Sequence, residues 1–149
     1  MPSSATTLPA LEAAFAAEIL QIVPRIAIER DAGWVHATDR RQLGPSMVPR
    51  RYTIQWGDPE VVRGGATGQS DTEVGHVMRI VTDYRAFRKE TLADVVYTDF
   101  WDLHDRLADR LDPAIVGFWW IEPRQPVVDD DAEASVIAHE FLIQYIRAR

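Results

Sequence analysis

Leu8, Leu11, Phe15, Ile19 and Ile22 recur at spacings of three and four through an alanine-rich stretch, which is the buried stripe of an amphipathic helix. Thr7 stands where a side-chain oxygen caps such a helix, Pro9 suits its first turn, and Pro24 ends the run. From Arg25 to Pro49 the periodicity fades. Ile26 to Glu29 fits a short extended piece, and Gly33, Gly44, Pro45 and Pro49 punctuate what reads as a long irregular connection. Alternation returns at Arg51 to Trp56, with Tyr52, Ile54 and Trp56 on one face, and at Val74 to Tyr84, with Met78, Ile80 and Tyr84. The two strands are expected to pair as a hairpin. The loop between them, Gly57 to Asp71, holds Gly64, Gly65 and Gly68 and few apolar anchors, and it is long for a hairpin turn.

A second helix is predicted from Asp99 to Leu111, where Phe100, Leu103, Leu107 and Leu111 form the apolar stripe and Asp102, Asp105, Arg106, Asp109 and Arg110 the wet face. Asp102 and Arg106 have the favourable acid-before-base order at a spacing of four. Leu92 to Tyr97 suits this helix or a separate extended piece, because its valines and tyrosine fit both. Asp112 and Pro113 stop the helix, Ala114 to Ile121 reads as a short apolar strand, and Glu122 to Ala134 as an acidic loop. Ser135 to Ile146 is the last strand, with Ile137, Phe141, Ile143 and Tyr145 on one face. The expected fold is α+β, a single domain over residues 1–149. Its order is helix, strand, strand, helix, strand, strand, with two helices packed on a mainly antiparallel four-stranded sheet.

Composition narrows the chemistry. The 149 residues are 46% hydrophobic and 26% charged, which is enough to build one core. There is no cysteine, so disulfides, thiolate zinc sites and cysteine nucleophiles are excluded. No charged-then-apolar leader opens the chain and no apolar run of about 18 residues crosses it, so neither secretion nor a membrane span is expected. Assembly in a cytoplasm is the expectation. A formal net charge of -7 disfavours affinity for a phosphate backbone. Lys89 is the only lysine beside fifteen arginines, a bias that fits a GC-rich genome or arginine-built interfaces.

Familiar catalytic signatures fail on their spacing. Gly64 to Ser70 (GGATGQS) departs from a phosphate-binding loop, since Gln69 occupies the lysine position and Arg63 that of the first glycine. Asp129, Asp130 and Asp131 could offer oxygen ligands to a divalent cation but lack the glycine and terminal glutamate of a calcium loop. They read as a solvated loop tip. His139 and Glu140 are neighbours on a strand and point to opposite faces, so they cannot share a zinc site, and His139 reads as structural. His36, His76 and His104 are scattered over a connection, a strand and a helix, and no metal site is expected. None of the five serines sits in a nucleophile elbow, so neither a catalytic residue nor a cofactor is expected. Trp101, Trp119 and Trp120 suit core packing and interface anchoring equally, although adjacent Trp119 and Trp120 on one strand face opposite sides.

The stretch from Tyr97 to Leu111 (YTDFWDLHDRLADRL), the FWWIEP that follows and the closing ASVIAHEFLIQYIRAR resemble the tail terminators of long-tailed bacteriophages. The likeness covers most of the chain as an order of elements, with the connection from Arg25 to Pro49 outside it. It implies a structural protein of the virion, assembled in the host cytoplasm. Six copies would form a ring on the head-proximal end of the tail tube, stopping its growth and offering a docking surface to the head. The implied partners are further copies of this chain, the tail tube protein and a head-completion or connector protein, with DNA as passing cargo and no membrane. The glycine-rich loop, with Arg63, Gly64, Gly65, Gly68, Gln69 and Asp71, is the candidate interface, since a polar segment gains order mainly through partners. The alternatives are a head-tail connector protein, a small enzyme using Asp129 to Asp131 with a divalent metal, and an adaptor domain of a secretion or injection machine.

Overall fold

A computed structural model describes residues 5–39, 46–63, 72–109, 114–120 and 136–148, with the backbone alone at 62, 63, 109, 119 and 120. The first helix, α1 (Leu8–Leu20), begins as its sequence requires: the Thr7 side chain accepts the Ala10 N–H at 3.3 Å, and proline occupies the first turn. Leu11, Phe15 and Ile19 are buried, and Leu8 and Ile22 lie partly buried against the same core. There follow β1 (Asp31–His36), β2 (Val48–Trp56), β3 (Glu60–Arg63), β4 (Thr72–Asp83), α2 (Lys89–Asp109), β5 (Ile115–Trp120) and β6 (Val136–Arg147).

The α+β class holds, but the expected mainly antiparallel four-stranded sheet does not. The strands form one curled, mixed, six-stranded sheet in the order β1-β2-β4-β6-β5, with β3 beside β4 on the same side as β2. The anticipated hairpin is present as β2 against β4, with Ile54 opposite Ile80. Two further strands come from segments read as irregular. Residues of β1 pair in parallel with β2, and a bulge between Asp31 and Gly33 breaks the alternation that would have marked the strand in sequence. Gly33 sits there at φ +74, a conformation open to glycine at no steric cost. The four residues of β3 lie inside the stretch assigned to the loop, and they continue the hairpin after the break at Gly57 to Pro59. The Gly57 N–H still donates to the Val77 carbonyl at 2.8 Å, so the arm bends without leaving β4.

Both helices pack on one face of the sheet. Inward residues of β2, β4 and β6, among them Tyr52, Ile54, Met78, Ile80, Phe141 and Ile143, meet Leu11, Phe15 and Ile19 of α1 and Phe100, Leu103 and Leu107 of α2. Phe141 is fully buried between Phe100, stacked at 5.3 Å, and Phe118 at 5.1 Å. Helix α2 begins ten residues before the predicted segment, so Leu92 to Tyr97 is helical. Its Leu92, Val95 and Val96 join Tyr84, Phe87 and Ile137 in a second apolar cluster. The wet face predicted for α2 also needs correcting. Asp102 is 8% exposed and bonds Arg25, while Arg106 bonds Glu18 of α1 at 2.8 Å, so Asp102 and Arg106 each tie α2 to other segments.

Candidate interface surface and buried polar cluster

The helices pack on one sheet face; no described helix packs on the other, although Val35 of β1, opposite Arg51 in the register, is 3% exposed there. Period two sends Arg51, Thr53 and Gln55 of β2, Val77, Arg79 and Val81 of β4, and Glu140, Leu142 and Gln144 of β6 to that side. The register sets Val77 opposite Leu142 and Arg79 opposite Glu140, where the charged side chains approach to 3.7 Å and are about 40% exposed. The face therefore mixes a short apolar band with an exposed charge pair, the composition of a surface that meets water or another protein. Val116 on β5 and Val136 at the start of β6 add half-exposed apolar side chains near one side of the sheet.

Of the sequence-derived interface residues only Arg63 is described. Arg63 is the last residue of β3, opposite Glu73 in the register, while Gly64, Gly65, Gly68, Gln69 and Asp71 lie outside the described residues. The acidic loop with Asp129, Asp130 and Asp131 lies outside them as well. A cavity of about 570 Å³ opens where the two hairpin arms approach the start of α1, lined by Leu8, Val61, Thr72, His76, Tyr145 and Arg147 among others. Two of its lining residues are joined by a hydrogen bond. His76 Nδ1 donates to the Gly57 carbonyl at 2.8 Å, so in the neutral ring Nε2 accepts the Tyr145 hydroxyl at 3.1 Å.

The histidines do not converge. His36 closes β1, with Nδ1 at 2.8 Å from the Thr38 hydroxyl; His76 is buried beside Tyr145; His104 lies on α2 against Trp101; His139 is buried on β6. Trp101 packs partly buried against the core, whereas Trp119 and Trp120 are placed by backbone alone, opposite Leu142 and Phe141.

The densest polar chemistry involves residues that sequence reasoning passed over. Arg50, fully buried on β2, donates from Nε to Asp99 Oδ2 at 2.6 Å, from Nη1 to both oxygens of Asp31 at 2.6 Å, and from Nη2 to the Ile26 carbonyl at 3.0 Å. Its guanidinium also lies 5.0 Å from the centre of the Phe87 ring. Asp99 on α2 is 0% exposed and accepts the Tyr84 hydroxyl at 2.9 Å; that hydroxyl stands 2.9 Å from His139 Nε2. Burial pushes the Asp99 carboxyl up to about 6 despite Arg50 and Tyr84, and pushes His139 down to about 3. Burial opposes the charge on Arg50, yet Asp99 and Asp31 outweigh it and hold the guanidinium above its ordinary value.

A sequence signal for this cluster existed. Arg50 has the same parity as Tyr52 and Ile54, so extending β2 by one residue turns it inward; Asp99 falls on the stripe of Leu92, Val95, Val96, Phe100 and Leu103. The cluster joins β1, β2, α2, β6 and the turn after β4 around a charge closed off from solvent, the arrangement of a structural lock. No protein-family model matches the chain, and no curated protein or solved structure matches it.

Proposed function

We propose that the protein is a tail terminator of a long-tailed bacteriophage. It forms a ring, of six copies, on the head-proximal end of the tail tube. The observation that carries this reading is a sheet face on which no described helix packs, joined to the sequence likeness of α2, β5 and β6. A ring of like subunits needs two different surfaces that meet and close by rotation, and a subunit with one helical face and one face free of described helices offers two such surfaces. Termination follows from the same asymmetry. One ring face accepts the last ring of tube protein, and the other presents a surface that tube protein cannot extend but a head-completion protein docks on. The hairpin of β3 and β4, in which Arg63 is the last described residue of β3, is the element suited to contact a neighbour or the tube. A net charge of -7 suits a lumen through which DNA slides, because like charge discourages sticking.

The direct test is to add the purified protein to preformed tail tubes and score the ends by electron microscopy. A ring at one end only, with growth from that end stopped, is the expected result, since the two ends of a tube differ. Equal decoration of both ends, or tubes that keep growing from a decorated end, would contradict the proposal.

A further inference from the structure

Asp99, Tyr84 and His139 form a continuous hydrogen-bonded chain from α2, past the end of β4, to β6, and all three are at most 1% exposed. Its proton directions are constrained by chemistry. Tyr84 has one hydroxyl proton and stands 2.9 Å from both partners. An ionised carboxylate only accepts, so the Tyr84 proton goes to Asp99 Oδ2, and His139 donates from Nε2 into the Tyr84 oxygen. The lone pair of the ring then sits on Nδ1, which is buried without a hydrogen-bond partner among the described residues.

We propose that this chain is a proton relay that switches the His139 tautomer when Asp99 takes up a proton. One proton from a hydronium ion, which is left as water, binds His139 Nδ1, the Nε2 proton passes to the Tyr84 oxygen, and the former Tyr84 proton passes to Asp99 Oδ2. The Nδ1–H, a new Tyr84 O–H and the Asp99 O–H form, while Nε2–H and the old Tyr84 O–H break. The cluster gains one proton and one positive charge. Every bond in the chain now runs the other way: Asp99 donates to Tyr84, Tyr84 donates to Nε2, and the ring is neutral at both ends of the change.

The surroundings support this as a device sensitive to mild acidity. Asp99 faces Arg50 of β2, Tyr84, and Asp102 on its own helix, and through Arg50 it feels Asp31 of β1. His139 faces the rings of Trp34, Tyr84 and Phe100. Burial places the Asp99 proton near neutrality while keeping the histidine ring uncharged, so the relay changes hydrogen-bond direction without creating an imidazolium. Trp34 meets His139 edge-on at 6.4 Å between ring centroids, and its Nε1–H is buried without a partner among the described residues.

The test is imidazole nitrogen resonance on the whole protein, isotope-labelled at histidine, from about pH 8 to about pH 5. The His139 signals are assigned by their loss in His139→Gln. The expected result is a neutral ring throughout, with the proton on Nε2 at the upper end and on Nδ1 at the lower. Tyr84→Phe cuts the chain and Asp99→Asn removes its titrating end, so each should leave a single tautomer over the whole range, and either variant that folds suffices. One unchanged tautomer in the unmodified protein would overturn the relay. So would a tautomer change that survives in either variant.

Discussion

Asp99→Asn removes the titrating oxygen from the buried cluster while keeping an acceptor of the same shape for Arg50 and Tyr84, and its effect on stability has a pH dependence of definite sign. Asp99 has its folded value raised from 3.8 to about 6. Its contribution is therefore fully present below about pH 4 and is lost as pH rises through 6, because in that window the unfolded chain has released a proton that the folded protein still holds. The fold holds this proton about a hundredfold more tightly, which corresponds to about 3 kcal/mol at ~1.4 kcal/mol for each factor of ten. His139 runs the other way. Its folded value is lowered from 6.5 to about 3, so its contribution is present above 6.5 and is lost as pH falls. Between about pH 4 and 6 the two slopes oppose and largely cancel. The asparagine variant is left with the histidine slope, so its stability should fall by about 1.4 kcal/mol for each pH unit of acidification across that window. The assay is urea unfolding of both proteins at closely spaced pH values, and the quantity read is the stability of the unmodified protein minus that of the variant. That difference should shrink by about 3 kcal/mol from about pH 4 to 6 and be flat above about 6.5. A constant difference, or one that grows with pH, would refute the placement of Asp99 in a burial-dominated site.

Arg50→Ala strands Asp31 and Asp99 without their cation, so it should cost about 3 to 5 kcal/mol in denaturant unfolding, well beyond a surface arginine. Phe141→Ala opens a cavity between Phe100 and Phe118 under both helices and should lower stability by about 3 to 5 kcal/mol, read as a shift in denaturation midpoint at unchanged slope. Changing Asp129, Asp130 and Asp131 together to asparagine should leave a complementing copy of the gene functional, because contiguous like charges of this kind behave as solvated loop; failure with the fold intact would revive a metal site.

Elements with strong periodicity and clear ends were legible in the sequence alone. Thr7, Pro9 and the stripe of Leu11, Phe15 and Ile19 define α1 by cap, breaker and spacing, and all act locally. The last strand was equally plain, since Ile137, Phe141, Ile143 and Tyr145 share one parity, with only His139 breaking the apolar series. The parallel strand β1 was hidden because its bulge and Gly33 break the alternation and because its partner, β2, is chosen by tertiary packing. The same holds for β3, four residues whose strand identity comes from pairing with Glu73 to Gly75. Valines in the first half of α2 carry no local preference strong enough to override either state, and burial against Tyr84 and Phe87 settles them. The buried cluster was missed for a different reason. Charged residues are assigned to water by default, and only the partners brought by the fold make Arg50 and Asp99 tolerable inside. The interface residues from Gly64 to Asp71 were named on glycine content and polarity, which identify a loop and say nothing of what it touches.

The central claim is that this chain ends the growth of a tail tube, and the length distribution of tails in a virus whose gene for it is disrupted tests that most directly. A tube grows because the exposed end of each ring matches the underside of the next, so without a cap the tube protein continues to add. Electron micrographs should show full heads separate from tails, with many tails longer than those of the intact virus. Tails of normal length in the disrupted virus would contradict termination, and if those tails also failed to join heads, the protein would be a connector.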